Sequence, residues 1–389
     1  MINGTKTKIA FVTGSRADYG IVRRYLSLLN QDSAIQLSIL VTGALLDEQF
    51  GKQVSLIEND GFFIEKKFPI PIDSSSNGAI IRNMAETLKQ FGDYFELHHY
   101  DILIMLGDRY EILPVAIAAA MHQIRILHIH GGEATYGNYD EFIRHAITKM
   151  SRFHFTSNEI YRKRVIQLGE NPSHVFNLGA LGAENCCFIN NENVPPEVQV
   201  LPNKYYFVVL FHPETLTDGS TLMQIRELLN AISKCPSYYF VFLGSNADTH
   251  SDIIRKQVYK FIKNNKNCQY FENLHTDAYH YLLKHSICLI GNSSSGIIEA
   301  PSLGIYTINI GERQGGRVRG NSVIDIPCQE VEIVNAINKV LKIHTTIYPT
   351  NPYYQQNTAN RYYMKTKEII SWINNGLENS PKIFYDLEK

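Results

Sequence analysis

The sequence lacks an excess of charge of one sign, since its 389 residues carry 37 Lys and Arg against 38 Asp and Glu. That balance argues against a DNA- or RNA-binding protein, which needs a basic surface. The six cysteines form no CxxC pair, which favours free thiols in a reducing compartment over a disulfide framework. The first apolar run, residues 9–12, is too short for a signal peptide, and nowhere do about 18 apolar residues follow one another. We therefore expect a cytoplasmic protein that binds neither nucleic acid nor membrane.

What the sequence does contain is a large apolar fraction arranged in alternating segments. Hydrophobic residues make up 44% and charged residues 19%, so the chain can bury a sizeable core, and its length favours two domains. Short β-branched runs alternate with amphipathic helical stretches, which predicts α/β architecture with parallel sheets covered on both faces. The predicted strands of the first half are residues 8–12, 36–41, 101–106, 125–129 and 154–156, and the predicted helices are 18–29, 77–98, 111–121, 140–150 and 158–168.

The alternation stops at residues 178–202, which are rich in Asn, Pro and Gly, and then restarts. The second series predicts strands at 206–211, 239–243, 287–290 and 306–310, and helices at 220–233, 249–264, 276–285, 296–303 and 358–374. We expect an N-terminal Rossmann-like domain over residues 1–183, joined by a closing C-terminal helix over residues 365–389. A second Rossmann-like domain is expected over residues 184–364.

Ligands of open parallel sheets bind beyond the carboxyl ends of the strands, so the residues that follow each strand are informative. The first strand leads into TGSRADYG, which is neither a dinucleotide nor an ATP fingerprint. Arg16 in this turn suits either an anion or a plain surface position. Asp108, after a later strand, is either a catalytic carboxylate beside a phosphate-binding arginine or a helix N-cap.

The strand end HIHGGE places His128 and His130 on one face of a strand. A metal pair is conceivable there, but no third and fourth ligand stands at a recognisable spacing. Hydrogen-bonding or acid/base histidines are the better interpretation. In the second series, GNSSSG at residues 291–296 opens a predicted helix with three hydroxyls and several amide donors. Such a loop suits a diphosphate, and Glu299 could accept from ribose hydroxyls; the alternative is a serine-rich helix cap. Together the motifs predict a nucleotide-sugar enzyme whose site lies between the two domains.

Six segments in order, TGSRADYG, GDRYE, HIHGGE…YDEFIRHAITK, HPET, GNSSSGIIEA and NIGERQGGR, resemble the UDP-N-acetylglucosamine 2-epimerase family. More narrowly they resemble its hydrolysing bacterial branch, which makes N-acetylmannosamine and UDP for sialic acid synthesis. The resemblance implies two Rossmann-like domains in a GT-B-type arrangement, with the active site in the interdomain cleft. It also implies anti elimination of UDP to 2-acetamidoglucal followed by hydration with inversion at C2. No cofactor or metal is implied, and a homodimer or homotetramer is expected.

Carried over position by position, the resemblance assigns Asp108 and Asp140 to proton transfer. It assigns UDP binding to Arg16, Gly20, Arg109, His212, Asn246, Ser293, Ser294, Glu299 and Arg313. Where the wider family has Glu as the third residue of a His-x-Glu strand end, this chain has His130. The third catalytic group is then either His130 itself or Glu133, three residues further on.

Three other functions compete with this interpretation. A hydrolysing 2-epimerase acting on UDP-N,N′-diacetylbacillosamine would differ only in a few pocket contacts at C4 and C6 of the sugar. A GT-B glycosyltransferase would share the fold and the nucleotide site but would need an acceptor. A non-catalytic nucleotide-sugar sensor would have no use for Asp108 with Asp140.

Overall fold

The chain folds into two parallel β-sheets, each covered on both faces by helices. The computed structural model describes residues 6–189, 194–199, 201, 205–216, 220–245, 248–343 and 349–387. Within those residues, no helix combines the length and the apolar character that a membrane span requires. This architecture agrees with the α/β class expected from the alternating pattern.

The first sheet has seven strands in the order β3-β2-β1-β4-β5-β6-β7, all parallel. Its strands are β1 (Thr7–Thr13), β2 (Ile35–Thr42), β3 (Ile64–Phe68), β4 (Ile102–Leu106), β5 (Ile126–Ile129), β6 (Phe153–Thr156) and β7 (Val175–Asn177). The second sheet has six parallel strands in the order β10-β9-β8-β11-β12-β13. They are β8 (Tyr206–Leu210), β9 (Tyr239–Leu243), β10 (Cys268–Phe271), β11 (Cys288–Gly291), β12 (Tyr306–Ile310) and β13 (Val323–Ile326).

Thirteen α-helices are found among the described residues, together with short 3-10 turns. Those up to the end of the first sheet are α1 (Arg16–Gln31), α2 (Ser55–Asn59), α3 (Asn77–Leu97), α4 (Ile112–Met121), α5 (Asp140–Met150), α6 (Glu159–Gln167) and α7 (Leu181–Asn185). The later ones are α8 (Thr221–Ser233), α9 (Ser251–Asn264), α10 (Thr276–Lys284), α11 (Ser295–Ile298), α12 (Glu330–Lys342) and α13 (Thr358–Asn374).

The central strand β4 has the sequence ILIML, an apolar run in which no polar residue alternates. All five of its residues are buried, because successive side chains point to opposite faces and helices cover both. Ile102 and Ile104 pack into a cluster with α1, whereas Leu103 and Met105 pack into a cluster with α3 and α4. Full burial stabilises each such side chain by about 1.5–3 kcal/mol, which fixes the strand's carboxyl end as a rigid platform.

The chain passes between the two sheets twice, and the two passages lie side by side. The outgoing passage runs through α7, and the returning one leads into α13. The Ala180 N–H donates to the carbonyl of Tyr353 at 2.9 Å. The Glu184 carboxylate accepts the N–H groups of Thr358 and Ala359 at 2.9 and 3.0 Å and so caps α13. The outgoing passage therefore anchors the start of the closing helix.

Helix α13 covers the residues that the periodicity predicts, 358–374, and packs against α1 of the first sheet. The bounds 365–389 expected for the closing helix are wrong, because the helix begins at Thr358 and ends at Asn374. Tyr25 and Thr366 share a hydrogen bond of 2.7 Å between their hydroxyls. The division of the chain at residue 183/184 stays a prediction. The Asn-, Pro- and Gly-rich segment 178–202, where the alternating pattern breaks, lies partly outside the described residues.

Candidate active site

The loops that follow the central strands of both sheets meet in one cleft. β1 and β4 are neighbours in the first sheet, as β8 and β11 are in the second, and at both places the strand order reverses. Parallel sheets bind ligands at such switch points. Two adjoining cavities of about 140 Å³ each occupy the cleft.

We call these the carboxylate cavity, which contains Asp108, His130, Glu133 and Asp140, and the serine-loop cavity, which contains Arg16 and Gly20. Arg109 and Arg313 also line the carboxylate cavity, and His212, Ser293, Ser294 and Glu299 line both. Every site residue predicted from the sequence thus borders the cleft, except Asn246, which lies outside the described residues.

Asp108, which follows β4, is held by Arg144 of α5. Nε of Arg144 donates to Oδ2 of Asp108 at 2.7 Å, and the arginine side chain is completely buried. Burial by itself would raise the pKa of Asp108, but the charges of Arg144 and Arg317 outweigh it and lower that pKa. Asp108 is therefore ionised at neutral pH and can accept a proton.

Asp140 is the first residue of α5 and lines the same cavity, but its surroundings raise its pKa. Nδ2 of Asn138 donates to Oδ2 of Asp140 at 2.8 Å, and the nearest Arg313 nitrogen is 4.0 Å away. Burial, together with the negative charges of Asp108 and Asp248, raises the pKa of Asp140 well above its usual value. Two carboxyl groups whose pKa values are driven apart are suited to separate acid and base roles. Asp140 is thus able to hold and donate a proton.

His130 does not share a strand face with His128, which corrects the expectation from the sequence. Strand β5 ends at Ile129, and His130 adopts a left-handed φ of +69° at the start of a glycine turn. His128 is structural: Nε2 donates to the Gly107 carbonyl at 2.8 Å, and Nδ1 accepts from the Thr148 hydroxyl at 3.2 Å. Burial lowers the pKa of His128 to about 3, so this ring is neutral.

Glu133 and His130 are in contact, and their surroundings differ. The Ser157 hydroxyl donates to Oε1 of Glu133 at 2.7 Å, and Arg317 pairs with Oε2. Burial opposes the ionisation of Glu133, yet Arg317 and His130 keep its pKa below the usual value. Nδ1 of His130 lies 3.6 Å from Oε1 of Glu133, while its buried Nε2 has no hydrogen-bond partner among the described residues. Of the two, His130 has the ring nitrogen still available for a ligand.

The serine loop, residues 292–295, is fastened to the end of β8. The His212 N–H donates to Oδ1 of Asn292 at 2.7 Å, and Nδ2 of Asn292 donates back to the His212 carbonyl at 2.8 Å. A Cβ on Gly291 would lie 2.0 Å from the Leu210 carbonyl oxygen, so the loop needs glycine where it leaves β11.

The helix predicted over residues 296–303 is wrong as a single element. Helix α11 has four residues and is followed by a 3-10 turn, Ala300–Leu303. Pro301 lacks an N–H and cannot continue an α-helix. The dipole of so short a helix is small, so an anion in this loop would depend mainly on hydroxyls, loop N–H groups and nearby arginines.

Besides Arg144 and Arg317, three more arginines bring positive charge to the cleft. Nε of Arg109 donates to Glu111 at 2.6 Å, and its Nη1 lies 3.7 Å from Asp248 of the other sheet's loops. Nη2 of Arg313 is 3.3 Å from the same Asp248, whereas the buried Nε of Arg313 has no hydrogen-bond partner among the described residues. Arg16 donates to a backbone carbonyl of the second unit.

The loop before α5 touches the second unit directly. The Gly137 carbonyl accepts from the N–H groups of Thr215 and Leu216 at 3.2 Å each, and the Tyr136 N–H donates to the Gly315 carbonyl at 3.1 Å. These contacts form the edge of the cleft next to Asp140.

Some residues that shape the site were not assigned from the sequence. Arg144 and Asp248 set the pKa values of the two aspartates, and Arg317 and Ser157 hold Glu133. Arg144 stands one helical turn after Asp140, which was a usable signal. Nothing in the sequence indicates that Arg317 and Ser157 contact Glu133 or that Asp248 lies near Asp140.

Comparisons with known proteins agree with this geometry. A family model described as UDP-N-acetylglucosamine 2-epimerase matches residues 27–366. The chain is 48% identical to polysialic acid biosynthesis protein P7 of Escherichia coli, over 98% of this chain and 97% of that protein. It is 35% identical to a hydrolysing GDP/UDP-N,N′-diacetylbacillosamine 2-epimerase of Campylobacter jejuni, over 84% of this chain and 86% of that one.

A solved structure shows the same fold. It is the UDP-GlcNAc 2-epimerase of Neisseria meningitidis bound to UDP-GlcNAc, which is 16% identical, with a TM-score of 0.77 over 94% of this chain and 100% of that one. The two Rossmann-like units in a GT-B-type arrangement are therefore confirmed, and the chain belongs to the UDP-N-acetylglucosamine 2-epimerase family.

Proposed function

We propose that this protein is a hydrolysing 2-epimerase that converts UDP-N-acetylglucosamine and water into N-acetylmannosamine and UDP. The observation that carries the proposal is the pair Asp108 and Asp140, whose pKa values are displaced in opposite directions within one cavity. An elimination followed by a hydration needs both a base and an acid beside one sugar ring.

In the proposed elimination, ionised Asp108 removes the C2 proton while the C1–O bond breaks and UDP leaves with the bonding electrons. Arg313 and the serine loop stabilise the charge that develops on the diphosphate. In the hydration, Asp140 delivers its proton to C2 from the opposite face, and water adds its oxygen to C1. The remaining proton of that water restores Asp140, and Asp108 gives the C2 proton to solvent.

The remaining cleft residues have positioning roles in this scheme. Glu133, fixed by Ser157 and Arg317, orients His130. His130 then presents Nε2 as the third polar group near the sugar. Glu299 and Arg16, which line the serine-loop cavity, are placed to hold the ribose and the nucleoside.

A second substrate is favoured by one finding. The Campylobacter jejuni relative, 35% identical, is named for GDP/UDP-N,N′-diacetylbacillosamine, and we take the UDP form because UDP is the nucleotide of the proposed function. The protein should therefore be incubated separately with that nucleotide sugar and with UDP-GlcNAc, without any acceptor. Free UDP with N-acetylmannosamine supports the proposal. UDP-ManNAc would identify a non-hydrolysing epimerase, and turnover that requires an acceptor would identify a transferase.

Removing the Arg313 side chain should weaken UDP binding. We expect Arg313→Ala to cost about 1.5–3 kcal/mol, the usual contribution of a hydrogen bond to a charged group, measured by titration calorimetry. Arg226→Ala, an exposed arginine on α8, is the control and should bind UDP normally. An unchanged affinity in Arg313→Ala would show that this loop does not hold the diphosphate.

UDP should close the cleft, because the two units hold different parts of one ligand. We predict that small-angle scattering of the UDP-free protein gives a larger radius of gyration than that of the UDP complex. The hinge is expected in residues 182–202 and before α13. Superimposable profiles would contradict closure. The expected homodimer or homotetramer stays a prediction, and the same scattering data would give its mass.

A further inference from the structure

Three potential metal ligands lie together behind the serine-loop cavity. They are the thiol of Cys186, the imidazole of His280 and the carboxylate of Glu299, and their ligand atoms all lie within 4.8 Å of one another. Nε2 of His280 is 3.4 Å from Oε1 of Glu299. The three residues are only 3%, 3% and 8% exposed, so they form a buried cluster and not an acidic patch on the surface.

These residues come from different parts of the chain. Cys186 directly follows α7 in the outgoing passage, His280 lies on α10, and Glu299 directly follows α11. The Cys186 thiol donates to the Gly182 carbonyl at 3.2 Å, which holds the thiol against the preceding turn, in α7. A Cβ on Gly182 would lie 3.0 Å from Oε1 of Glu299, so the carboxylate rests directly on this segment. Because the three residues are far apart in the sequence, no sequence motif reveals the cluster.

The ligand set is one that Zn²⁺ takes. Zinc binds thiolate at about 2.3 Å, imidazole at about 2.0 Å and carboxylate at about 2.1 Å in a tetrahedron. Neighbouring ligand atoms in such a tetrahedron are then roughly 3.5 Å apart, and the His280–Glu299 distance of 3.4 Å already meets that value. The Cys186 sulfur lies within 4.8 Å of both other ligand atoms and must approach them to complete the tetrahedron. Three protein ligands leave a fourth position for water, which the cavity beside His280 and Glu299 can supply.

We propose that Cys186, His280 and Glu299 form an inhibitory site for a thiophilic divalent cation such as Zn²⁺, whose occupation excludes the ribose of UDP. Coordination forms three metal–ligand bonds and releases the Cys186 thiol proton to solvent. Glu299 cannot serve the metal and the ribose hydroxyls at once, so metal and nucleotide compete. The inference rests on the proposed function only in assigning the ribose to Glu299.

Co²⁺ is the probe for direct binding, because a cobalt–thiolate bond gives a charge-transfer absorption in the near ultraviolet. We expect the full-length protein to bind one Co²⁺ with this absorption. Cys186→Ser should lose it and bind the metal at least about 10–100-fold more weakly, given that loss of even an outer-shell partner has that effect. Cys187→Ser is the matched control, because this neighbouring thiol is exposed and outside the cluster. Both variants should bind UDP as the wild type does, which verifies their folding.

Two further measurements test whether UDP and the metal compete for the site. UDP should bleach the cobalt–thiolate absorption, and Zn²⁺ should inhibit turnover competitively in the wild type and in Cys187→Ser but not in Cys186→Ser. The same absorption in Cys186→Ser, or none in the wild type, would overturn the site. Binding that UDP leaves unaffected would overturn the exclusion of ribose. The spectroscopic arms need no activity, so they remain decisive even if the substrate is a different nucleotide sugar.

Discussion

Asp108→Asn is expected to abolish UDP release from UDP-GlcNAc, because the amide keeps the shape of the side chain but cannot accept a proton at neutral pH. A positioned base contributes about 10²–10⁴-fold to a rate, and a loss of that size in kcat should be measured by the appearance of free UDP. UDP affinity should change little. The variant should still hydrate synthetic 2-acetamidoglucal supplied together with UDP, because the elimination has then been bypassed.

The control for this variant is Asp101→Asn, at the opposite end of the same strand. Asp101 accepts the Lys8 N–H at 2.8 Å, which an asparagine oxygen can also do. Folding of Asp108→Asn is expected because Arg144 keeps Glu141 and the Glu133 carbonyl as partners, each at 2.9 Å. Near-normal turnover in Asp108→Asn would mean that His130 or Glu133 is the base.

Asp140→Asn should show the complementary defect. It is expected to keep the elimination and to accumulate UDP and 2-acetamidoglucal, with hydration of the glucal about 10²–10⁴-fold slower than in the wild type. In the wild type, the raised pKa of Asp140 means that hydration is lost as pH rises and its proton leaves. The lowered pKa of Asp108 means that elimination is lost as pH falls and the base becomes protonated. Rates of the two half-reactions against pH, followed by product chromatography, test both directions.

Asp252→Asn is the matched control for this second variant, since Asp252 also lies in the first turn of a helix, α9, but on the surface. A variant Asp140→Asn that hydrates the glucal at the wild-type rate would remove Asp140 from the mechanism. If both aspartate variants fail only in elimination, the division of roles between them is wrong.

The sequence predicts the central strands well and the edge strands poorly. All nine predicted strands are present in the structure, whereas β3, β7, β10 and β13 were missed, and each of these lies at an edge of its sheet. Central β4 is buried throughout and reads as a continuous apolar run, while edge strand β13 has no fully buried residue. An edge strand has a neighbour on one side only and carries polar residues that break the pattern.

For the site, too, one part could be predicted from the sequence and another could not. Motifs that follow strands could be placed in the cleft, because the carboxyl ends of parallel strands share one side of the sheet. Which aspartate is acid and which is base could not be predicted, because that depends on contacts between residues distant in sequence. Arg144 is 36 positions from Asp108, and Asp248, which raises the pKa of Asp140, belongs to the other unit.

The paired passages between the two units restrict how the cleft can move. Two units joined by one connecting segment could rotate about any of three axes. Here the two passages are linked by Glu184 and by the Ala180–Tyr353 hydrogen bond, so we expect them to allow rotation about one axis only. A single angle then sets how close Asp248 and Arg313 come to Asp140. Burial and Asp108 raise the pKa of Asp140 most, but Asp248 raises it further and Arg313 lowers it, so that angle contributes to the proton affinity of the acid. A substitution at the passages is then expected to change the chemistry while leaving every residue of the cleft in place.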